Sequence, residues 1–575
     1  MLRLSVTVSL MALLAGCGGG GGDAPAPPPG STVAVSGQIT FDRVPAVAGQ
    51  GLVYAQTAVQ PARGVTVELL LAGTVSASTT TDAAGNYSFS SAPANTDVSI
   101  RVRAEMLRVG TPSWNLRVVD NVNGEALYTL AGAVFNTSSA NVTRNLHAAS
   151  GWGGAAYTTT RSAAPFAILD VAYDTVQLVL SAEPLAAFPA LRFHWSPSNV
   201  PVDGTGPGEI GSSRFQSDIG ILLVGAADQD TDEYDRHVIA HELGHYLEYY
   251  FSRSDSIGGP HALSDQLDMR LAFGEAWGTA FAAMATGDSI YKDTFGAGQR
   301  QSFSVNVEQS PSRTNPNPGW FNEESLQSLL FDLYDNGRDS PPRSSPLDPF
   351  IVDDLALGFG PIWQAFTTEP RTTSALTSVF PFVDALRVAR PGDQPLIDNL
   401  TTSQRIAAVT DAYGTGQTNF GLPTKRTLLE VSQDFNAIYN NVAVGATLQN
   451  VCSLDDYTSA LTGAENKLAS RRFVRFTVTN PGPHTITVRA RAPLNAAADP
   501  DLVLHRGNGL TLVSDSPPTA SCSVATPAGC VETFSPMLSV GEHILEVYEW
   551  TNTNRVDDPD YPPIGRTCFD VTVAQ

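Results

Sequence analysis

The stretch "DRHVIAHELGHYLEYY", Asp235 to Tyr250, holds three of the nine histidines in a chain of 575 residues, at His237, His241 and His245. Each lies four residues from the next, and residues at i and i+4 of a helix share one face about 6 Å apart. Val238, Ile239, Leu243 and Leu247 supply apolar anchorage for such a helix. Within it, His241-Glu242-Leu243-Gly244-His245 is an HExxH sequence. Two imidazoles so placed can hold one tetrahedral zinc ion. Glu242 lies beside them, close enough to take a proton from water at the metal and too angled to be a ligand. His237, one turn earlier, reads as a satisfied histidine at the helix edge. Upstream, "DQDTDEYD" places Asp230 as an N-cap with Glu233 three residues on, which predicts a helix over 231–252. The same acids are candidate calcium ligands (Ca2+), although they lack a full loop of donors and capping accounts for them.

A catalytic zinc needs a third protein ligand and an open position. The residues after His245 lack the HxxGxxH continuation. The next strongly helical stretch is "LDMRLAFGEAWGTAFAAMATGD", where Glu275 is the one carboxylate inside the apolar run. A lone Glu among Ala272, Phe273, Ala276 and Trp277 is costly to bury unless something compensates its charge, and a metal does that. His261, in the intervening loop, is the rival third ligand. The order of HExxH, loop, then a helix bearing Glu resembles the gluzincins, the thermolysin-like clan of zinc metallopeptidases, over residues 230–335. The resemblance implies one catalytic Zn2+ on His241, His245 and Glu275, Glu242 as general base, and a protein or peptide substrate cut by an endopeptidase. Gluzincins often use a Tyr or His to stabilise the oxyanion, and Tyr334 is the candidate here. Many also carry an Asp four residues after the ligand Glu, to orient a zinc histidine. Thr279 stands at that position, so the orienting group is expected elsewhere, with Asp268 one option.

The flanks differ in texture. Short alternating strands from 33 to 147, such as "GVTVELL" and "GNYSFS", predict a β-sandwich and resemble carboxypeptidase-regulatory-like modules. Strands return from about 450, and "DPDLVLHR" and "SVGEHILEVYEW" resemble the pre-peptidase C-terminal domain. His484, His505 and His543 share no spacing there and read as surface or packing residues. The middle, 148–449, reads as an α+β zincin-like catalytic domain with a mostly helical second half. Its strands are expected at "APFAILDVAYDTVQLVL", "LRFHWSPSN" and "IGILLVG", and its helices at 231–252, 268–286, 322–335, 376–388 and 401–413. The fold class is therefore multidomain, two sandwiches flanking a central domain.

Arg3, an apolar run from Leu4 to Leu14 and "LLAGC" ending at Cys17 resemble a bacterial lipobox, which implies lipidation of Cys17 and removal of residues 1–17. Residues 18–32, rich in Gly and Pro, read as a linker. The expectation is an exported lipoprotein, anchored by lipid at the outer membrane or cell surface. A net charge of -23 argues against nucleic acid as a partner. The remaining cysteines, Cys452, Cys522, Cys530 and Cys568, crowd the last quarter and suggest two disulfides in an oxidising compartment. Of the three pairings, Cys522–Cys530 with Cys452–Cys568 is favoured. The alternative to a peptidase is a non-catalytic adhesion or binding lipoprotein with a structural or degenerate zincin domain. The intact Glu242 argues against it.

Overall fold

The computed structural model describes residues 30–309, 318–335, 355–417, 437–454, 465–491, 498–506, 512–515, 531–553 and 564–575. Cys17, the linker up to residue 29, Cys522 and Cys530 lie outside the described residues. The protein is multidomain and rich in sheet. Alternating residues of Thr32–Arg43, including Val35, Ile39 and Phe41, are buried in one core with Val67, Ile100 and Val102 of a second sheet. This is the sandwich-like arrangement that the alternation predicts.

That second sheet does not stop at residue 147. Trp114–Asp120 pairs in parallel with Leu191–Trp195, which pairs with Gly220–Leu223, and the edge is Arg214–Gln216. The first module and the central region therefore share one ten-stranded sheet, and hydrogen bonding crosses the boundary drawn from texture.

The stretch "APFAILDVAYDTVQLVL" is a helix, α1 (Ala164–Ala182), and not the expected strand. Pro165 sits in its first turn, where a missing N–H costs nothing. Nineteen residues are too many for a strand, and unbroken burial over 164–172 hides the helical period there. Its buried Asp170 is paired with Arg43 and Arg63 of the sandwich. The central helices follow: α2 (Arg236–Phe251), α3 (Met269–Thr286) and α4 (Glu323–Asp332). Then come α5 (Phe359–Thr367), α6 (Glu369–Thr372), α7 (Val379–Ala389) and α8 (Gln394–Ser403). The helix expected at 401–413 begins and ends earlier, because Pro395 opens α8 and Arg405 takes a left-handed conformation just after it.

The C-terminal module is a five-stranded and a four-stranded sheet around a separate core that includes Val474, Phe476, Val488, Leu545 and Val571. It starts before residue 450, since Tyr439–Asn441 pairs with Arg471–Val478. Cys452 and Cys568 form a disulfide between directly opposed positions of neighbouring strands, the favoured pairing. His484, His505 and His543 are buried, not at the surface.

This module grips the central domain near the histidine cluster. Glu546, 2% exposed, accepts from Arg270 of α3 (2.8 Å), Arg471 (2.6 Å) and His505 (3.0 Å). Burial pushes the Glu546 carboxyl up, but the Arg270 charge and the His505 and Arg471 contacts outweigh it and hold the group well below its ordinary value. Asn466 donates to the carbonyls of Gly258 and Pro260 (3.0 and 3.1 Å), and Lys467 Nζ lies 3.2 Å from Asp265. The loop that carries His261 is thus held at both ends. Arg270→Ala leaves a buried carboxylate short of a cation and is expected to cost about 3 kcal/mol, measured by urea unfolding. An effect below about 1 kcal/mol, the size of a surface ion pair, would contradict a tight junction.

Candidate metal centre

Helix α2 begins at Arg236, not at 231. Asp232–Tyr234 forms a separate 3-10 turn, and Asp230 does not cap the helix. Glu233 is buried against Arg161, and Asp235 Oδ2 accepts from Thr294 N and Oγ1 at 2.9 and 2.8 Å. Tertiary pairing has taken Glu233 away from the predicted capping box.

Helices α2 and α3 cross on glycines. A Cβ on Gly244 would lie 3.0 Å from the Gly278 Cα, and one on Gly278 would meet the His241 ring at 2.8–2.9 Å. A Cβ on Gly274 would press on the Glu248 carboxylate at 3.3 Å. Trp277 Nε1 donates to the Gly244 carbonyl (3.1 Å) and locks the approach. The crossing sets His241 and His245 of α2 against Glu275 of α3, and their donor atoms all lie within 4.8 Å of one another.

The distances are specific. His241 Nε2 and His245 Nε2 are 3.0 Å apart, and Glu275 Oε2 lies 3.2 and 3.5 Å from them. The edge of a tetrahedron with metal–ligand bonds of about 2.0–2.1 Å is about 3.3 Å. Three donors thus converge on one point with the spacing of zinc ligands, and these residues fit the ion. Thr279 Oγ1 lies 3.2 Å from His241 Nδ1, so the expectation that the orienting group sits elsewhere is corrected. With Nδ1–H donating to that hydroxyl, Nε2 keeps its lone pair for a metal. Asp268 instead caps α3, accepting from Arg270 N (3.0 Å). Glu248, 1% exposed, stands 3.8 Å from His245 Nδ1 as an ionic neighbour.

Electrostatics follow from the convergence. Burial pushes Glu275 up, but the His245 charge and contacts from His241, His245 and His261 outweigh it and hold the carboxyl well below its ordinary value. Burial pushes His245 down, while Glu275, Glu248 and Glu242 carry it well above. His261 also reaches the cluster, with Nε2 3.5 Å from Glu275 Oε2 and 3.6 Å from Glu323. Burial lowers it, but Glu275 and Glu323 bring it to about 10. Glu323, at the first turn of α4 and 4% exposed, is raised to about 7 by burial, with the Glu275 charge adding and His261 and His241 opposing.

Glu242 Oε2 accepts from Phe215 N–H on the edge strand (2.6 Å), and Oε1 takes no hydrogen bond among the described residues. Tyr334 is not brought to the cluster. Its ring packs on Phe331, and burial raises it with Asp335 as the charged neighbour. The phenol near the imidazoles is Tyr291, 6.2 Å from the His241 ring. Burial raises it well above its ordinary value, and the charges of Asp293 and Glu242 add to that. His237 Nε2–H donates to the Asp288 carbonyl (3.0 Å) and shares that proton with Thr286 Oγ1 (3.2 Å). Sequence reading missed Tyr291, Glu323, Glu248 and the role of Gly244, Gly274 and Gly278. Only the Gly274-x-x-x-Gly278 spacing and the i+3 position of Glu248 on α2 carried a signal.

Neither a protein-family model nor a curated protein matches the chain. Among solved structures, the pre-peptidase C-terminal domain of a collagenase from Bacillus anthracis is 12% identical, with 24% of this chain and 93% of that one covered and a TM-score of 0.15. PliG, a periplasmic lysozyme inhibitor from Aeromonas hydrophila, is 10% identical over 24% of this chain and 95% of its own, with a TM-score of 0.14. A cycloisomaltooligosaccharide glucanotransferase from Paenibacillus sp. is 9% identical over 93% and 72%, with a TM-score of 0.13. At these TM-scores the likenesses bear no weight for function.

Two outcomes are expected. Gly278→Ala pushes a methyl into the His241 ring and should weaken zinc binding roughly 10–100-fold in a competition titration, while circular dichroism stays unchanged. His237 is lowered from 6.5 to about 4, chiefly by burial, with the Asp288 carbonyl opposing. The unfolded chain therefore binds that proton first, so stability is whole above pH 6.5 and falls as pH drops toward 4. In metal-stripped protein, His237→Gln should shrink the stability difference between pH 7 and pH 4.5 by about 2–3 kcal/mol.

Proposed function

We propose that the chain is an exported, lipid-anchored zinc metallopeptidase. The observation that carries this reading is the convergence of His241 Nε2, His245 Nε2 and Glu275 Oε2 at tetrahedral-edge distances, with Glu242 on the same helix. The donor chemistry, two imidazoles and one carboxylate, is that of a catalytic zinc site with an open position, and His261 remains near enough to serve as the rival ligand. Zinc held there would polarise a carbonyl as a Lewis acid and lower the pKa of water.

The chain's own residues do the rest. Glu242 takes the proton of the attacking water at Oε1, because Oε2 is pinned by the Phe215 N–H. It then returns that proton to the departing amine. Thr279 and Glu248 keep the two rings in register. Tyr291 stays neutral at physiological pH, since burial and nearby carboxylates raise it, and offers its phenol to the developing oxyanion. The substrate is a protein or peptide. Cys17 would tether the enzyme to a membrane through the lipobox-like leader, with residues 18–32 as the spacer.

Glu242→Gln should retain one zinc per chain and cut the appearance of new peptide termini from an unfolded protein mixture roughly 100- to 10,000-fold, read by mass spectrometry. Zinc without cleavage by the parent protein would favour the binding-lipoprotein reading. Tyr291→Phe should lower turnover roughly 100-fold with zinc retained, whereas Tyr334→Phe should leave it unchanged. The reverse order would restore Tyr334 as the oxyanion donor.

A further inference from the structure

The described residues contain a second convergent set of donors, made of oxygen alone. Carboxylate oxygens of Asp230, Asp232 and Asp293 lie within 4.8 Å of one another. They come from two places: the turn before α2 and the strand Ile290–Phe295, which are already joined by a backbone bridge between Asp230 and Phe295. Asp232 is 2% exposed and takes a hydrogen bond from Ser213.

A separate side chain points to a ligand. Asp235, with no exposed surface, binds Thr294 through Oδ2 and leaves Oδ1 buried without a hydrogen-bond partner. Its Oδ2 holds Thr294, the residue that follows Asp293, which seats the carboxyl beside the cluster, and burial raises it with the charges of Asp293 and Asp230 adding. Asp230 Oδ1 is likewise buried and without a partner. Burial raises Asp230 to about 6, with Glu233 adding and the Asp232 and Thr231 hydrogen bonds opposing. Asp293 reaches about 7, through burial and then the Asp230 charge. Among the described residues no Lys, Arg or His pairs with any of the four. Nearby basic groups are engaged elsewhere: Arg161 with Glu233, Arg236 with Asp174 and Lys292 with Asp288.

We propose that Asp230, Asp232 and Asp293, with Asp235 behind them, hold a calcium ion that ties the turn before α2 to the strand carrying Tyr291. Oxygen-only donors with several carboxylates suit a hard cation that accepts six to eight ligands in flexible geometry, whereas zinc selects nitrogen and sulfur. The site is distinct in donors and position from the histidine cluster, and the inference does not rest on the peptidase reading. The sequence carried part of this signal: "DQDTDEYD" supplies Asp230, Asp232 and Asp235, and Asp293 arrives only through the fold.

The test is calorimetric titration of the full chain with Ca2+, and with Mg2+ for comparison, together with thermal unfolding in calcium-free and calcium-containing buffer. The parent chain should bind one Ca2+ and melt higher when it is present. Asp293→Asn removes a ligand and a repelling charge together. It should lose the binding heat, melt above the parent in calcium-free buffer, and melt below it when Ca2+ is added. Asp230→Asn should behave alike, and zinc content in both should match the parent. Absence of any Ca2+ heat or stabilisation in the parent chain, or unchanged Ca2+ binding in Asp293→Asn, would overturn the proposal.

Discussion

The close crossing of α2 and α3 is the constraint on which the histidine cluster depends. Two helices with ordinary side chains at the contact stay 8–10 Å apart. Here Gly244 meets Gly278 with no room for a Cβ, and the Trp277 indole is tied to the carbonyl of Gly244. That approach lets a carboxylate one turn up α3 reach two imidazoles one turn apart on α2. The same glycine that permits the approach also makes the space for the His241 ring, so packing and donor geometry are set by one residue.

Around this crossing the rest of the protein acts as a frame. The shared sheet delivers the edge strand whose Phe215 N–H fixes Glu242. From the other side, the C-terminal sandwich inserts Glu546 beside Arg270, five residues before Glu275, and holds the His261 loop through Asn466 and Lys467. Buried ionic contacts of this kind add little net stability over apolar packing, but they penalise any arrangement that leaves one partner alone. They register the module on α3 instead of merely attaching it.

Much of this was legible in the residues. HExxH gave α2 its place and its two neighbouring imidazoles, and a solitary Glu in an apolar run gave α3 and the carboxylate that lies against them. Cys452 and Cys568, at the two ends of one module, gave the disulfide. What failed did so for physical reasons. The run 164–172 is buried without a break and the helical period emerges only afterwards, at Thr175, Val176 and Val179, so α1 passed for a strand. Asp230 and Glu233 have the spacing of a capping box, yet Arg161 claims Glu233 and Asp230 lies in the carboxylate cluster with Asp232 and Asp293. Thr279 was discounted because a hydroxyl is a weak orienter, although it lies within reach of Nδ1. Tyr291 and Glu323 come from elements distant in sequence and have no spacing to betray them.

The measurement that bears most directly on the histidine cluster is zinc X-ray absorption spectroscopy of the full chain, compared between the parent and Glu275→Gln. Two imidazoles and a carboxylate predict a four-coordinate nitrogen and oxygen shell with scattering from two rings, altered or lost when Glu275 is replaced. A shell with three imidazoles that is indifferent to Glu275 would move the third ligand to His261. A chain that binds no zinc would contradict the whole reading of α2 and α3 as a metal centre.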